Sequence, residues 1–66
     1  MTIKINDKEV ILPENCNVKQ ALEKNAIPQA GTAVALNGKV VGKAAYETTI
    51  LADGDSLLII KAFYGG

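Results

Sequence analysis

The 66-residue sequence has no histidine, no tryptophan and a single cysteine. Without histidine it cannot build a Ser-His-Asp triad or a His-based metal site, and one cysteine gives neither a zinc-ligand spacing nor an internal disulfide. These absences argue against an autonomous enzyme. All seven basic residues are lysine, balanced by seven Asp plus Glu for a net charge of zero. Neither sign forms a run, so the electrostatic footprint of a nucleic-acid binder is missing. Long apolar segments are absent too. The longest runs, Ala33 to Leu36 and Leu57 to Ile60, are four residues each, against the roughly 20 a membrane-spanning helix needs. Lys4, Asp7, Lys8 and Glu9 interrupt the N-terminus before a signal-peptide core can form. The expectation is a soluble cytoplasmic protein with no membrane or nucleic-acid partner. A chain this short forms one domain with a thin core, too small to enclose a large pocket.

What is present alternates in a way that sets out elements. Thr2 to Asn6 alternates polar and apolar residues, and Glu9 to Leu12 resumes with Val10 and Leu12 on one face. This predicts a hairpin joined at Asn6-Asp7-Lys8 and stopped by Pro13. In "NVKQALEKN", Asn17 and Gln20 have capping-box spacing, so a helix should begin at Val18, with Val18, Ala21, Leu22 and Ala26 on one apolar stripe. Asn25 tolerates left-handed geometry, and Pro28 and Gly31 keep the helix short. "TAVALNGKVV" reads as strand, Asn37-Gly38 turn, strand, because both turn positions accept positive φ. Residues 42 to 49 carry no clear period and suggest a loop with one helical turn around Tyr46. Asp53-Gly54-Asp55 is a further turn before the final strand. Leu57 to Ile60 is apolar at consecutive positions, as a strand covered on both faces is, which places it mid-sheet and parallel to the N-terminal strand.

This arrangement resembles the ubiquitin-like β-grasp fold: α+β, a mixed sheet of four to five strands with one helix packed across one face. The order and spacing of "VKQALEK", "VALNGKVV" and "LADGDSLLII", followed by a terminal Gly65-Gly66, are similar to the sulfur carrier proteins of thiamin biosynthesis. The resemblance covers essentially the whole chain and implies a β-grasp domain over residues 1–62 and a flexible tail over 63–66. Members often carry a proline and a basic residue after the middle hairpin, with an aromatic soon after; this chain has Gly42, Lys43 and Tyr46.

The chemistry that the resemblance implies lies at Gly66. A ubiquitin-activating-like adenylyltransferase would adenylate its carboxylate with ATP, no cofactor being held by the carrier itself. Sulfur from a donor such as a cysteine desulfurase would displace AMP to leave a thiocarboxylate, and thiazole synthase would receive the sulfur. A carboxylate shares its charge over two oxygens and repels nucleophiles, so it needs a leaving group before sulfur can attack. Residues 63 to 66 extend roughly 13–14 Å when fully drawn out, and side chains at 65 and 66 would collide with the walls of a narrow channel that glycine clears. The alternative for the two glycines is a frayed chain end. Tyr64 would either pack at the channel entrance or lie on the sheet.

By the same resemblance, Leu57 and Ile59 point at the helix with Ile3, Ile5, Val10, Leu12, Val18, Leu22, Val34 and Leu36. Leu58 and Ile60 then face outward beside Ala33 and Ala35, and with Phe63 they form a partner-docking face. The alternatives are that the 42 to 49 loop or a second copy covers them. Cys16, just before the helix, is either a sulfur relay or incidental. Asp53 and Asp55 suit a tight turn better than a metal site. Other functions with the same fold are the small subunit of molybdopterin synthase, which shares the thiocarboxylate chemistry, and a non-catalytic β-grasp interaction module.

Overall fold

The computed structural model describes residues 1–61. Strand β1 (Thr2–Ile5) and strand β2 (Lys8–Ile11) pair antiparallel, with Ile5 opposite Lys8. The connection is a two-residue turn, tighter than the three residues expected, with Asn6 at φ 50° and Asp7 at φ 67°. Two successive positive φ values match the right-handed twist of the flanking strands, and Asn and Asp are the non-glycine residues that best tolerate them.

Helix α1 (Val18–Lys24) starts where the capping pattern places it. Asn17 Oδ1 accepts from the Gln20 N–H at 2.8 Å, and the Asn17 N–H donates to Gln20 Oε1 at 3.0 Å. The first helical donors are also satisfied, since the Val18 and Lys19 N–H groups donate to the carbonyls of Thr49 and Tyr46, and Ala21 N–H donates to Asn17 O. The segment 46–49 is thereby stapled across the start of the helix. The other end differs from expectation. Asn25 keeps a negative φ of −107° and donates its side-chain amide to Ala21 O at 2.8 Å. The reversal falls one residue later, on Ala26 at φ 56°. Ala26 N–H donates to Glu23 O and Ile27 N–H to Leu22 O, the bond pair of a Schellman ending. Ala26 is therefore exposed and does not extend the buried stripe.

Strands β3 (Thr32–Leu36) and β4 (Lys39–Val41) flank the Asn37-Gly38 turn, and strand β5 (Ser56–Lys61) completes a sheet of order β2-β1-β5-β3-β4. β5 lies in the middle, parallel to β1 and antiparallel to β3. The β-grasp architecture is thus present in full: one helix packs over one face of a five-stranded mixed sheet. Ile3, Ile5, Leu12, Val34, Leu57 and Ile59 meet Val18, Ala21 and Leu22 of the helix in the core, with Val10 and Leu36 packed at its margin.

The core also takes Cys16, Tyr46 and Leu51, which the alternation of the strands and helix does not reveal. The helical turn expected around Tyr46 is a 3-10 turn over Lys43–Ala45. It ends by delivering the Tyr46 side chain, 1% exposed, into the core. Thr49 Oγ1 donates to Ala45 O at 2.7 Å and closes this segment. Asp53 and Asp55 hold the last turn: Asp53 Oδ1 accepts from Thr2 N–H at 2.7 Å and Asp55 Oδ2 from Ala52 N–H at 2.8 Å. Among the described residues no helix is long and apolar enough to cross a membrane.

Candidate docking face

Side chains of β5 alternate across the sheet, so Leu57 and Ile59 enter the core while Leu58 and Ile60 emerge on the face opposite the helix, each 51% exposed. The pairing register puts Ala33 beside Ile60 and Ala35 beside Leu58. Ala33 is exposed. Ala35, expected to be exposed like Ala33, is only 8% exposed, because its methyl group lies between the larger side chains of its two register partners, Leu58 and Val40. Val40 belongs to the same face and is 82% exposed. It was legible in principle, since a two-residue turn at Asn37-Gly38 sets Leu36 opposite Lys39 and hence Ala35 opposite Val40. The result is an apolar strip with Ala35 as its floor and Leu58, Ile60 and Val40 standing beside it.

The face changes character across the sheet. On β1 and β2 the positions beside Ser56 are Lys4 and Glu9, exposed and in register with each other, and Ile11, 85% exposed and opposite Thr2, lies further along the same face. An apolar strip bounded on one side by charged and hydroxyl groups is the pattern of a protein-contact surface. The 42 to 49 segment does not cover it. Tyr46 is in the core, and the backbone carbonyls of Tyr46 and Thr49 are bonded to the helix start, on the other side of the sheet.

Phe63, Tyr64, Gly65 and Gly66, the remaining members of the expected site, lie outside the described residues, as does the proposed boundary at residue 62. Cys16 is 2% exposed, with its thiol directed at Asn17 O at 3.6 Å, so it packs as a small apolar side chain and is not presented to any partner. Asp53 and Asp55 serve the turn, and no group of three or more potential metal ligands occurs among the described residues.

Two turn asparagines also contact β5. Asn37 accepts from Ser56 N–H through Oδ1 at 2.9 Å and donates to Asp55 Oδ1 at 3.0 Å. Asn6 accepts from Ile59 N–H through Oδ1 at 2.8 Å, and its amide nitrogen lies 3.4 Å from Ile59 O. In the sequence both asparagines read only as turn formers.

The ThiS family model matches this chain over residues 1–66. The chain belongs to the ThiS family. It is similar to the sulfur carrier protein ThiS of Escherichia coli (strain K12), with 32% identity over 66 residues that cover the whole of both chains. Its fold is similar to the crystal structure of the thiamine biosynthesis protein ThiS from Geobacter metallireducens, with a TM-score of 0.84, 32% identity, and coverage of 100% of this chain and 99% of that one. A solution structure of a thiamine biosynthesis protein from the same organism gives a TM-score of 0.79 at 30% identity, covering 100% of this chain and 88% of that one. The family model and the curated relative cover the full chain, so the family assignment rests on the whole domain and not on a turn motif.

Proposed function

We propose that this ThiS-family chain is a sulfur carrier whose Gly66 carboxylate is converted to a thiocarboxylate and donates sulfur for thiazole formation in thiamin biosynthesis. The observation that carries the proposal is the placement of an exposed apolar strip on β5, the strand that leads directly to Gly66, in a chain matched end to end by the ThiS family. From Ile60, the six residues to Gly66 span at most about 20–22 Å. A partner seated on Leu58, Ile60 and Val40 can therefore receive the C-terminal carboxylate in an active site one short tail away.

The chemistry proceeds in two balanced steps on the partner. A Gly66 carboxylate oxygen attacks the α-phosphorus of ATP, pyrophosphate leaves, and an acyl adenylate forms. Hydrosulfide then attacks the carbonyl carbon; where the sulfur comes instead as the persulfide of a cysteine desulfurase, its terminal sulfur attacks and a thiol afterwards cuts the S–S bond of the acyl disulfide, leaving with the donor cysteine as a disulfide. AMP departs and the C–S bond of the thiocarboxylate remains. The carrier contributes no acid, base or metal to either step, in keeping with a sequence that has no histidine. It contributes a docking surface and a carbonyl carbon flanked only by glycine. Thiazole synthase, docking on the same strip after the adenylyltransferase has left, takes the sulfur. The similar proteins, thiamine biosynthesis proteins and a ThiS sulfur carrier, favour the thiamin branch over the small subunit of molybdopterin synthase.

The test is intact-mass measurement after incubation with ATP, a sulfide source and a ubiquitin-activating-like adenylyltransferase of the thiamin pathway. Exchange of one carboxylate oxygen for sulfur adds roughly 16 Da at the C-terminus. A chain that gains no mass, or gains it at a residue other than Gly66, refutes the proposal.

A further inference from the structure

β5 faces a register problem that hydrophobic burial does not solve. Leu57, Leu58, Ile59 and Ile60 are all large and aliphatic, so sliding the strand by one residue would exchange Leu57 and Ile59 for Leu58 and Ile60 in the core at little cost in buried apolar area. On one side β3 pairs with β5 as far as Lys61. On the other side the β1 ladder stops early: Lys4 N–H donates to Asp55 O and Asn6 N–H to Leu57 O. The next donor, Ile59 N–H, would find the main-chain carbonyl of residue 6 in a continued parallel ladder, but the positive φ at Asn6 turns the chain away into the hairpin.

The Asn6 side chain stands in for that missing strand. Its amide carries a carbonyl acceptor and N–H donors, and it turns the acceptor and one donor to Ile59, the acceptor at 2.8 Å and the donor at 3.4 Å. Glycine would fit the turn but leave the Ile59 N–H without this partner. Aspartate would keep the acceptor, lose the donor, and set a negative charge near Ile59 O.

We propose that Asn6 is a positioning residue for the reaction at Gly66: its amide locks the exit end of β5 in register, one residue before Ile60, and so fixes where the C-terminal tail departs relative to the docking strip. This deepens the function proposed above and rests on it. Loss of the clamp leaves Leu58, Val40 and Ala35 in place, so docking persists while the carboxylate is delivered less reproducibly to the adenylating site. The effect falls on turnover rather than on affinity.

The experiment uses Asn6→Gly, which retains the turn and removes the amide, and Asn6→Asp, which retains the acceptor alone. Amide exchange of the full chain by NMR is expected to show Ile59 exchanging about tenfold or more faster in Asn6→Gly, as loss of a partly buried hydrogen bond implies, while Val34 in the neighbouring strand keeps its protection relative to global unfolding. With the adenylyltransferase, kcat for Gly66 activation is expected to fall about tenfold while the binding constant changes less than about twofold, and Asn6→Asp is expected to lie between wild type and Asn6→Gly. Leu12→Val, at the opposite end of the sheet, serves as a control for stability loss and should leave kcat unchanged at equal folded fraction. Unchanged exchange at Ile59, unchanged kcat in Asn6→Gly, or an equal loss in Leu12→Val would each overturn the proposal. A wild-type chain that gains no mass overturns the function itself, and the Ile59 exchange then judges the clamp separately.

Discussion

Ala26→Gly should stabilise this protein, and the size of the gain follows from one dihedral angle. Ala26 occupies the left-handed region at φ 56°, at the position where the Schellman ending of α1 ordinarily takes glycine. The β-carbon of an L-residue in that region costs about 1–2 kcal/mol through its contact with the backbone carbonyl. Glycine removes that cost but loses about 0.5–1 kcal/mol more conformational entropy on folding than alanine does. The side chain of Ala26 is exposed, so no packing is lost. The net expectation is a gain of about 0.5–1 kcal/mol, which for a domain of this size raises Tm by roughly 2–8 °C. Thermal unfolding followed by far-ultraviolet circular dichroism, with urea unfolding to check that the m-value is unchanged, measures it. An unchanged or lowered Tm would show that the αL cost is already relieved by other means, and would refute the reasoning. Gly66 activation should be unaffected, because the helix end is remote in sequence from the docking strip and makes no hydrogen bond to β5.

Leu58→Asp tests the docking strip. Complete burial of a leucine side chain is worth about 1.5–3 kcal/mol, so covering its exposed half contributes about 1 kcal/mol, and a carboxylate forced out of water there adds a penalty of similar size or more. Affinity for the adenylyltransferase should drop about 30-fold or more, while the chain keeps a cooperative melt; undiminished activation would show that Leu58 is not at the interface. Cys16→Ser should lower stability by about 1–3 kcal/mol, as burial of a hydroxyl in an apolar site does, yet leave the mass gain per folded molecule the same. Loss of activation in proportion beyond the folded fraction would restore a sulfur-relay role for Cys16.

The parts of this fold that a sequence reading recovers are those governed by short-range rules. Asn37-Gly38 specifies its hairpin because both residues accept positive φ, and Asn17 with Gln20 specifies the helix start because the two groups satisfy each other. The central place of β5 follows from apolar residues on both of its faces. What escaped depends on side-chain bonds and packing that neither the period nor the turn rules encode. Tyr46 sits in a segment with no period, and its burial is set by carbonyls at 46 and 49 bonding helix donors at 18 and 19. Asn25 and Ala26 exchanged expected roles because a side-chain bond to Ala21 holds Asn25 at negative φ. The near burial of Ala35 depends on the side chains of two neighbouring strands, and Val40 required the register of the turn to be carried through to the opposite face.

Asparagine at positions 6 and 37 now has two reasons instead of one. Both residues adopt positive φ in two-residue turns, a requirement that glycine meets with less strain. Glycine, however, has no side chain with which to hold the neighbouring strand. Asn37 takes the N–H of Ser56 at the start of β5, and Asn6 takes that of Ile59 near its end. The two clamps come from hairpins on opposite sides of β5, and they fix a strand whose run of four aliphatic residues would pack almost equally well one step out of place. On the proposed function, a strand that presents Leu58 and Ile60 to partners cannot advertise its register through a polar outer face, because polar residues there would abolish the docking strip. Placing the register signal in the adjacent turns resolves that conflict. It also means that substitutions at 6 and 37 should loosen the ends of β5, where each amide holds it, before they affect whether the domain folds, while the β3 pairing keeps Leu58 and Ile60 outward.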